Sequence, residues 1–128
     1  MKRTVAIIVV LGGLLASAPA HAALPTKGGT YVGDIKASPF TMHINMGVNP
    51  TGTKLQHFTY LCGTGRPPTT VFGVPVDRTG HFKYTKMIGS SLVWKLAGRF
   101  VSPTKAFVSL NSIACGGSKG STTVTLGP

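Results

Sequence analysis

Apolar and polar side chains alternate along most of the chain from residue 28 onward, in short runs that Gly, Pro, Asn, Asp and Ser separate about every ten residues. In the clearest run, Phe40, Met42, Ile44 and Met46 alternate with polar neighbours. A period of two is typical of a half-buried β-strand, and no window here has the 3.6-residue period of an amphipathic helix. The pattern therefore predicts about eight strands, at residues 29–37, 40–46, 54–62, 71–76, 81–87, 92–101, 106–110 and 121–126.

Strands this short must bury one face, so the chain is predicted to be all-β. An antiparallel two-layer β-sandwich is the first choice, and a small β-barrel is the alternative. Phe58, Tyr84 and Trp94 fall on the apolar faces and are predicted to pack in the core. In the third run Leu55 is out of phase with Phe58, which predicts a β-bulge near Gln56.

Two details concern the ends of strands. Phe72, Val74 and Val76 are predicted to share one face of the fourth strand, and Pro75, which has no N–H to donate, places that strand at an edge. The glycine-rich residues 116–120 are predicted to form a mobile loop before the last strand.

Residues 1–22 have the character of a secretory leader. A positive start precedes an apolar run over residues 4–16, and Ala20 and Ala22 put small residues where a signal peptidase cuts. We therefore expect cleavage after Ala22, a single domain over residues 23–128, and a secreted or periplasmic location. An uncleaved anchor is the alternative, but the apolar run is shorter than the roughly 20 residues that span a bilayer.

The chain has two cysteines, Cys62 and Cys115. An exported protein meets an oxidising compartment, so these two are predicted to form a disulfide. A redox or nucleophilic role would need an unpaired cysteine or a Cys-x-x-Cys spacing, and the sequence has neither. The disulfide is therefore predicted to be structural.

Several short motifs occur together with the two cysteines. They are Gly-Thr-Tyr-Val-Gly at residues 29–33, Val-Asp-Arg-Thr-Gly-His-Phe at residues 76–82 and Trp-Lys-Leu-Ala-Gly-Arg-Phe at residues 94–100. With Cys62 and Cys115, this combination resembles a recurring type of small secreted bacterial β-sandwich protein, which has a Gly-x-Tyr-x-Gly start and an Asp-x-x-Gly-x-Phe hairpin. The resemblance implies an exported β-sandwich of unestablished function. It assigns no catalytic or binding residue.

Positive charge is the feature that departs most from ordinary composition. The chain of 128 residues has 13 Lys and Arg against 2 Asp and Glu, a formal charge of +11, and loss of Lys2 and Arg3 with the leader leaves +9. Such a surface attracts anionic polysaccharide, wall polymer or an anionic membrane surface. Specific nucleic-acid recognition is not expected, because export separates the protein from the genome. The alternative is that the charge only maintains solubility and protects sheet edges.

The predicted hairpin around residues 88–91 gathers part of this charge. If Tyr84 lies opposite Trp94 and Phe82 opposite Leu96, Lys83 lies directly opposite Lys95 on the other face, where like charges repel. Anionic partners would relieve the repulsion. The predicted polyanion-binding patch consists of Arg78, Lys83, Lys95 and Arg99.

The sequence offers few residues for catalysis. The two acids are Asp34 and Asp77, and Asp77 is predicted to begin a type I turn, so no carboxylate pair remains. A Ser-His-Asp arrangement lacks a Gly-x-Ser-x-Gly elbow, and no catalytic residue is predicted.

His43 and His57 lie outward on successive strands, where a suitable register would bring their rings together, but two histidines alone make an incomplete metal site. No metal or cofactor is predicted.

The sequence thus predicts an exported, monomeric, non-catalytic binding or structural module with a cationic surface. The anionic polymers or cell-surface components named above are its expected partners. The alternative is a small secreted hydrolase or inhibitor whose activity lies in loops 63–70 and 112–120. That alternative requires a pocket that contains Asp34 or a histidine beside a serine.

Overall fold

A computed structural model describes residues 23–63 and 65–128. Within them, each of the eight predicted runs overlaps a strand. The strands are β1 (Thr30–Ile35), β2 (Met42–Val48), β3 (Lys54–Cys62), β4 (Thr69–Pro75), β5 (His81–Ile88), β6 (Ser91–Ser102), β7 (Lys105–Ser112) and β8 (Ser118–Leu126), and a short 3-10 helix (Ile113–Cys115) follows β7. The predicted leader lies outside the described residues.

All eight strands belong to one antiparallel sheet, in the order β4-β3-β2-β1-β8-β7-β6-β5. The sheet curls into a nearly closed barrel in which the end strands β4 and β5 also contact each other, so the small-barrel alternative describes the fold better than the two-layer sandwich. The reason is that β1 pairs with β8 as well as with β2, with Tyr31 opposite Leu126 and Val32 opposite Thr125. This pairing joins the two four-stranded halves along a hydrogen-bonded boundary, where a sandwich would have a break between layers.

Aromatic side chains fill the middle of the barrel. The Trp94 ring stacks on Phe58 at 6.1 Å between centroids and meets Tyr60 edge-on at 5.1 Å. Tyr84 lies 5.0 Å from the same indole ring, at a tilt. Phe58 and Tyr60 come from β3 and the other two rings from β5 and β6, so the cluster ties together strands near the two ends of the sheet. The predicted aromatic core is confirmed.

The irregularity predicted near Gln56 is confirmed. Gly47 pairs with His57 and Val48 with Leu55, which leaves Gln56 as the extra residue of a bulge in β3. Leu55 therefore points into the core despite its spacing from Phe58, and both are buried.

The expected faces of β4 are partly wrong. Val74 and Val76 are buried, but Phe72 is 75% exposed. Gly73, between Phe72 and Val74, has a φ of +73°, in the left-handed region that glycine tolerates. This conformation breaks the strict alternation of the strand. The edge position inferred from Pro75 is confirmed, because β4 is an end strand of the sheet.

The predicted disulfide between Cys62 and Cys115 is present, and it closes a separation of 53 residues. It joins the end of β3 to the 3-10 helix. Beneath it, the hydroxyl of the buried Ser112 accepts a hydrogen bond from the N–H of Cys115 and is hydrogen-bonded to the Tyr60 hydroxyl at 2.8 Å. The disulfide and the Tyr60–Ser112 hydroxyl pair together fix the segment that follows β7.

Across residues 23–63 and 65–128, no helix has the length and apolarity that a membrane crossing requires.

Candidate anion-binding face

The outward side chains of β5 to β8 form three cross-strand rows, which we call the cationic face. The registers of the neighbouring strands place His81, Arg99, Phe107 and Thr123 in the first row, Lys83, Ala97, Ser109 and Ser121 in the middle row, and Thr85, Lys95, Asn111 and Lys119 in the third. None of these four strands contains an acidic residue.

The register between β5 and β6 differs from the predicted one by two residues. Lys83 faces Ala97 and Lys95 faces Thr85, so the two lysines are not directly opposed. A register shift between Lys86 and Met87 accounts for part of the difference. The expected repulsion across the hairpin is therefore wrong, although both lysines stay on the outer face.

Packing on the inner side explains this register. Phe82 lies opposite Gly98, where a β-carbon would approach its Cε2 atom to 2.6 Å. The missing side chain of Gly98 thus leaves the space that the Phe82 ring occupies. In the predicted register Phe82 would face Leu96, and its ring would not fill the space beside Gly98.

Short side chains in the middle row leave the face hollow. One depression of about 730 Å³ is lined by residues of the first and middle rows and reaches Pro75 and Asp77 beyond β5. A second depression of about 460 Å³ is lined by residues of the middle and third rows. The two share Ala97 and Ser109, so they adjoin over a common floor. Ser109 and Ser121 are hydrogen-bonded through their hydroxyls at 2.9 Å on that floor.

Four cations border the floor. Lys83 and Arg99 line the first depression, and Lys95 and Lys119 line the second. Arg99 is held over the Phe107 ring, with its guanidinium carbon 5.8 Å from the ring centroid. Lys83, Lys95 and Lys119 are exposed. The face therefore presents positive groups around an uncharged centre.

Lys119 is a member of this group that the sequence analysis missed. Residues 116–120 were expected to form a mobile loop, but β8 begins at Ser118 and pairs Lys119 with Asn111. The expectation of a loop is wrong for residues 118–120, which belong to the strand, while residues 116 and 117 form a turn. Gly120 is in the strand, opposite Leu110, and a β-carbon there would approach the side chain of Ile35 to 2.8 Å.

Arg78, the remaining predicted member of the patch, lies apart from the floor. It is exposed in the turn between β4 and β5 and lines neither depression. The neighbouring Asp77 lines the first depression. Its pKa is held below the usual 3.8, first because the Thr79 hydroxyl donates to the carboxylate and then because the His81 N–H does so. The one carboxylate at this site is thus engaged in the turn, as the sequence predicted.

The two outward histidines do not meet. His43 lies opposite Leu61 and forms a 2.8 Å hydrogen bond with Asp34. His57 lies opposite Gly47 and is hydrogen-bonded to Asn45, also at 2.8 Å. No cluster of three or more His, Cys, Asp or Glu side chains suited to a metal ion occurs among the residues whose structure is described.

The features required by the hydrolase alternative are only partly assembled. A depression of about 530 Å³ on β1 to β3 is lined by Asp34 and His43 but by no serine. The first depression of the cationic face is lined by His81 and Ser109, but these lie in different rows, on β5 and β7. The loops assigned to that alternative are held together by the disulfide and by Arg66, whose guanidinium donates to the carbonyl of Ala114.

The donors of the cationic face are ammonium, guanidinium, hydroxyl and amide groups, which suit anions and sugar hydroxyls. Comparisons with known protein families, characterised proteins and solved structures find no match to this chain. The chemistry of the face is therefore the basis for assigning a function.

Proposed function

We propose that this protein is an exported, non-catalytic binding module whose cationic face takes anionic polymers. The observation that supports this most directly is the arrangement of Lys83, Arg99, Lys95 and Lys119 around a floor without charge, on strands without an acid. Wall polymers, acidic polysaccharides and the anionic surfaces of membranes are the classes of partner that such a face attracts outside the cytoplasm.

The physical basis of the binding is long-range attraction followed by counterion release. A polyanion holds a layer of condensed cations, and each Lys or Arg that takes their place releases some of them to the solvent. Because this gain depends on the salt concentration, affinity falls as salt rises, with a slope set by the number of contacts. Hydroxyl and amide groups on the floor add hydrogen bonds that a diffuse positive charge cannot supply.

A salt series on immobilised heparin tests the proposal. We expect the logarithm of the affinity to fall linearly with the logarithm of the salt concentration. In the variant Lys95→Gln/Lys119→Gln, the slope should decrease by roughly one unit for each lost contact. Elution of the wild-type protein below physiological salt would contradict the proposal.

A matched variant separates the face from net charge. Lys27→Gln/Lys54→Gln removes the same two charges at the β2–β3 turn, where Lys54 begins β3 and the Lys27 side chain lies beside Gly52. Neither lysine lines the two depressions of the face. We expect this variant to keep the slope of the wild-type protein. An equal decrease in both variants would mean that net charge alone is responsible, and the assignment to the face would be abandoned.

A further inference from the structure

The cationic face is shaped as a trough as well as charged. Its floor is the part of the middle row on β6, β7 and β8, where Ala97, Ser109 and Ser121 carry the shortest side chains of the three rows, and Lys83 ends that row on β5. Longer side chains stand on both sides, Arg99 and Phe107 in the first row and lysines in the third. The first and third rows are four residues apart along each strand, which makes the trough about 13 Å wide. The four strands together span about 14 Å, which is its length. The trough is therefore wide enough for one polymer chain that crosses the strands.

We propose that this trough binds a single chain of a linear acidic polysaccharide, with its sugar rings on the floor and its acidic groups against the bordering cations. The inference rests on the proposed function and goes further by naming the class of polymer and its path. Hydroxyls of Ser109 and Ser121 and the amide of Asn111 lie along that path, where they meet the hydroxyl groups of a sugar.

Three other polyanions fit the trough less well. A bilayer surface and a DNA duplex are both too broad to reach a floor made of Ala97 and Ser109, so they would contact only the bordering cations. Single-stranded nucleic acid is narrow enough, but proteins bind it by stacking bases on several aromatic rings. Phe107, 39% exposed, is the one Phe, Tyr or Trp side chain of the three rows, and Arg99 covers part of it. The floor favours a ligand that hydrogen-bonds over a ligand that stacks.

Filling the floor without changing its charge tests this inference. In Ala97→Tyr/Ser109→Tyr, two large side chains occupy the path, while every cation of the face remains. Tyr suits an exposed strand position, and the fluorescence of the buried Trp94 reports whether the variant is folded. Val32→Tyr, which adds the same side chain at a half-exposed position on β1, is the matched control. If the double variant does not fold, Ser121→Tyr in the same row replaces it.

The probes are a heparin oligosaccharide, a DNA duplex and oligo(dT), titrated by calorimetry at fixed salt. We expect filling the floor to weaken oligosaccharide binding roughly tenfold or more, by direct obstruction, and to leave duplex binding within about twofold. The control variant should bind all three probes as the wild-type protein does. Unchanged oligosaccharide binding in the filled variant would overturn the inference while leaving the proposed function in place. Binding of oligo(dT) that is tighter than binding of the oligosaccharide, and that is lost in Phe107→Leu, would also overturn the inference. If the wild-type protein binds no probe, the proposed function itself is wrong.

Discussion

Gly98 is the position where one added methyl group tests the packing between β5 and β6 most directly. A β-carbon there would lie 2.6 Å from Cε2 of Phe82, closer still to its Cζ atom, and 2.8 Å from the backbone oxygen of Phe107. Carbon atoms in ordinary contact are about 3.5–4.0 Å apart, so the Phe82 ring must move if Gly98→Ala is to fold. The backbone oxygen of Phe107 is held in the β6–β7 ladder and has little freedom to move.

The expected cost follows from two opposing effects. Gly→Ala in a strand ordinarily gains about 0.5–1 kcal/mol, because glycine loses more conformational freedom on folding. That gain applies here, because Gly98 is not among the glycines with positive φ. Overpacking a core costs about 1–3 kcal/mol. We therefore expect Gly98→Ala to lower the free energy of unfolding by about 1–2 kcal/mol.

Urea unfolding followed by Trp94 fluorescence measures this change, since Trp94 is buried and is the one tryptophan of the chain. In the background of Gly98→Ala, the further change Phe82→Leu removes the ring atoms that clash, so the two substitutions together should cost less than the sum of their separate effects. Gly127→Ala is the control, because a β-carbon there meets only the oxygen of Thr30, at 3.6 Å. A Gly98→Ala protein as stable as the wild-type, or strictly additive effects of the two substitutions, would refute this account of the register.

Three other predictions concern the disulfide, the polar pair beneath it and the turn before β5. Replacing both Cys62 and Cys115 by Ala should lower the free energy of unfolding by about 4 kcal/mol, because a long loop in the unfolded chain is no longer closed, and a loss below about 1 kcal/mol in non-reducing urea titrations would contradict this. Ser112→Ala removes the partner of the Tyr60 hydroxyl and of one backbone N–H, so we expect a loss of about 2–3 kcal/mol in the same titration, and a smaller loss for Tyr60→Phe. The lowered pKa of Asp77 means that its stabilisation of the turn is complete above pH 3.8 and is lost as the pH falls through the lower folded-state value. An NMR titration of the Asp77 carboxyl carbon with a midpoint at or above 3.8 would contradict that expectation.

The sequence predicts which side chains point inward far better than which strands face each other. Period-two alternation located all eight strands, and the phase error at Leu55 located the bulge at Gln56. A register slip of two residues leaves every side chain on its own face, so alternation carries no information about it. The error between β5 and β6 is of this kind, and the fit of the Phe82 ring against Gly98 is a feature of the observed register that alternation does not report.

The closure of the sheet and the full membership of the cationic face depend on contacts between distant parts of the chain. The pairing of Tyr31 with Leu126 decides between a barrel and a sandwich, and nothing in either strand alone specifies it. Lys119 lies on the face only because β8 pairs with β7 from Ser118 onward, in a stretch whose glycines are typical of a loop. Lys83, Lys95 and Arg99 were found because outward cations on a hairpin stay outward in any even register.

Strands that are neighbours in the sheet are also consecutive in the sequence, except where β1 pairs with β8. Gly127 donates a hydrogen bond to the carbonyl of Thr30, so the first and last strands run side by side to their ends. Linking those ends and opening the chain in the turn at residues 77–80 would give the connection order β5-β6-β7-β8-β1-β2-β3-β4, in which every strand pairs with its successor. Such a circular permutant would keep every ladder and make the β1–β8 pairing local, while the less extensive contacts between β4 and β5 would become the distant ones. Because folding slows as contacts become less local, the rearranged chain should refold faster than the natural one.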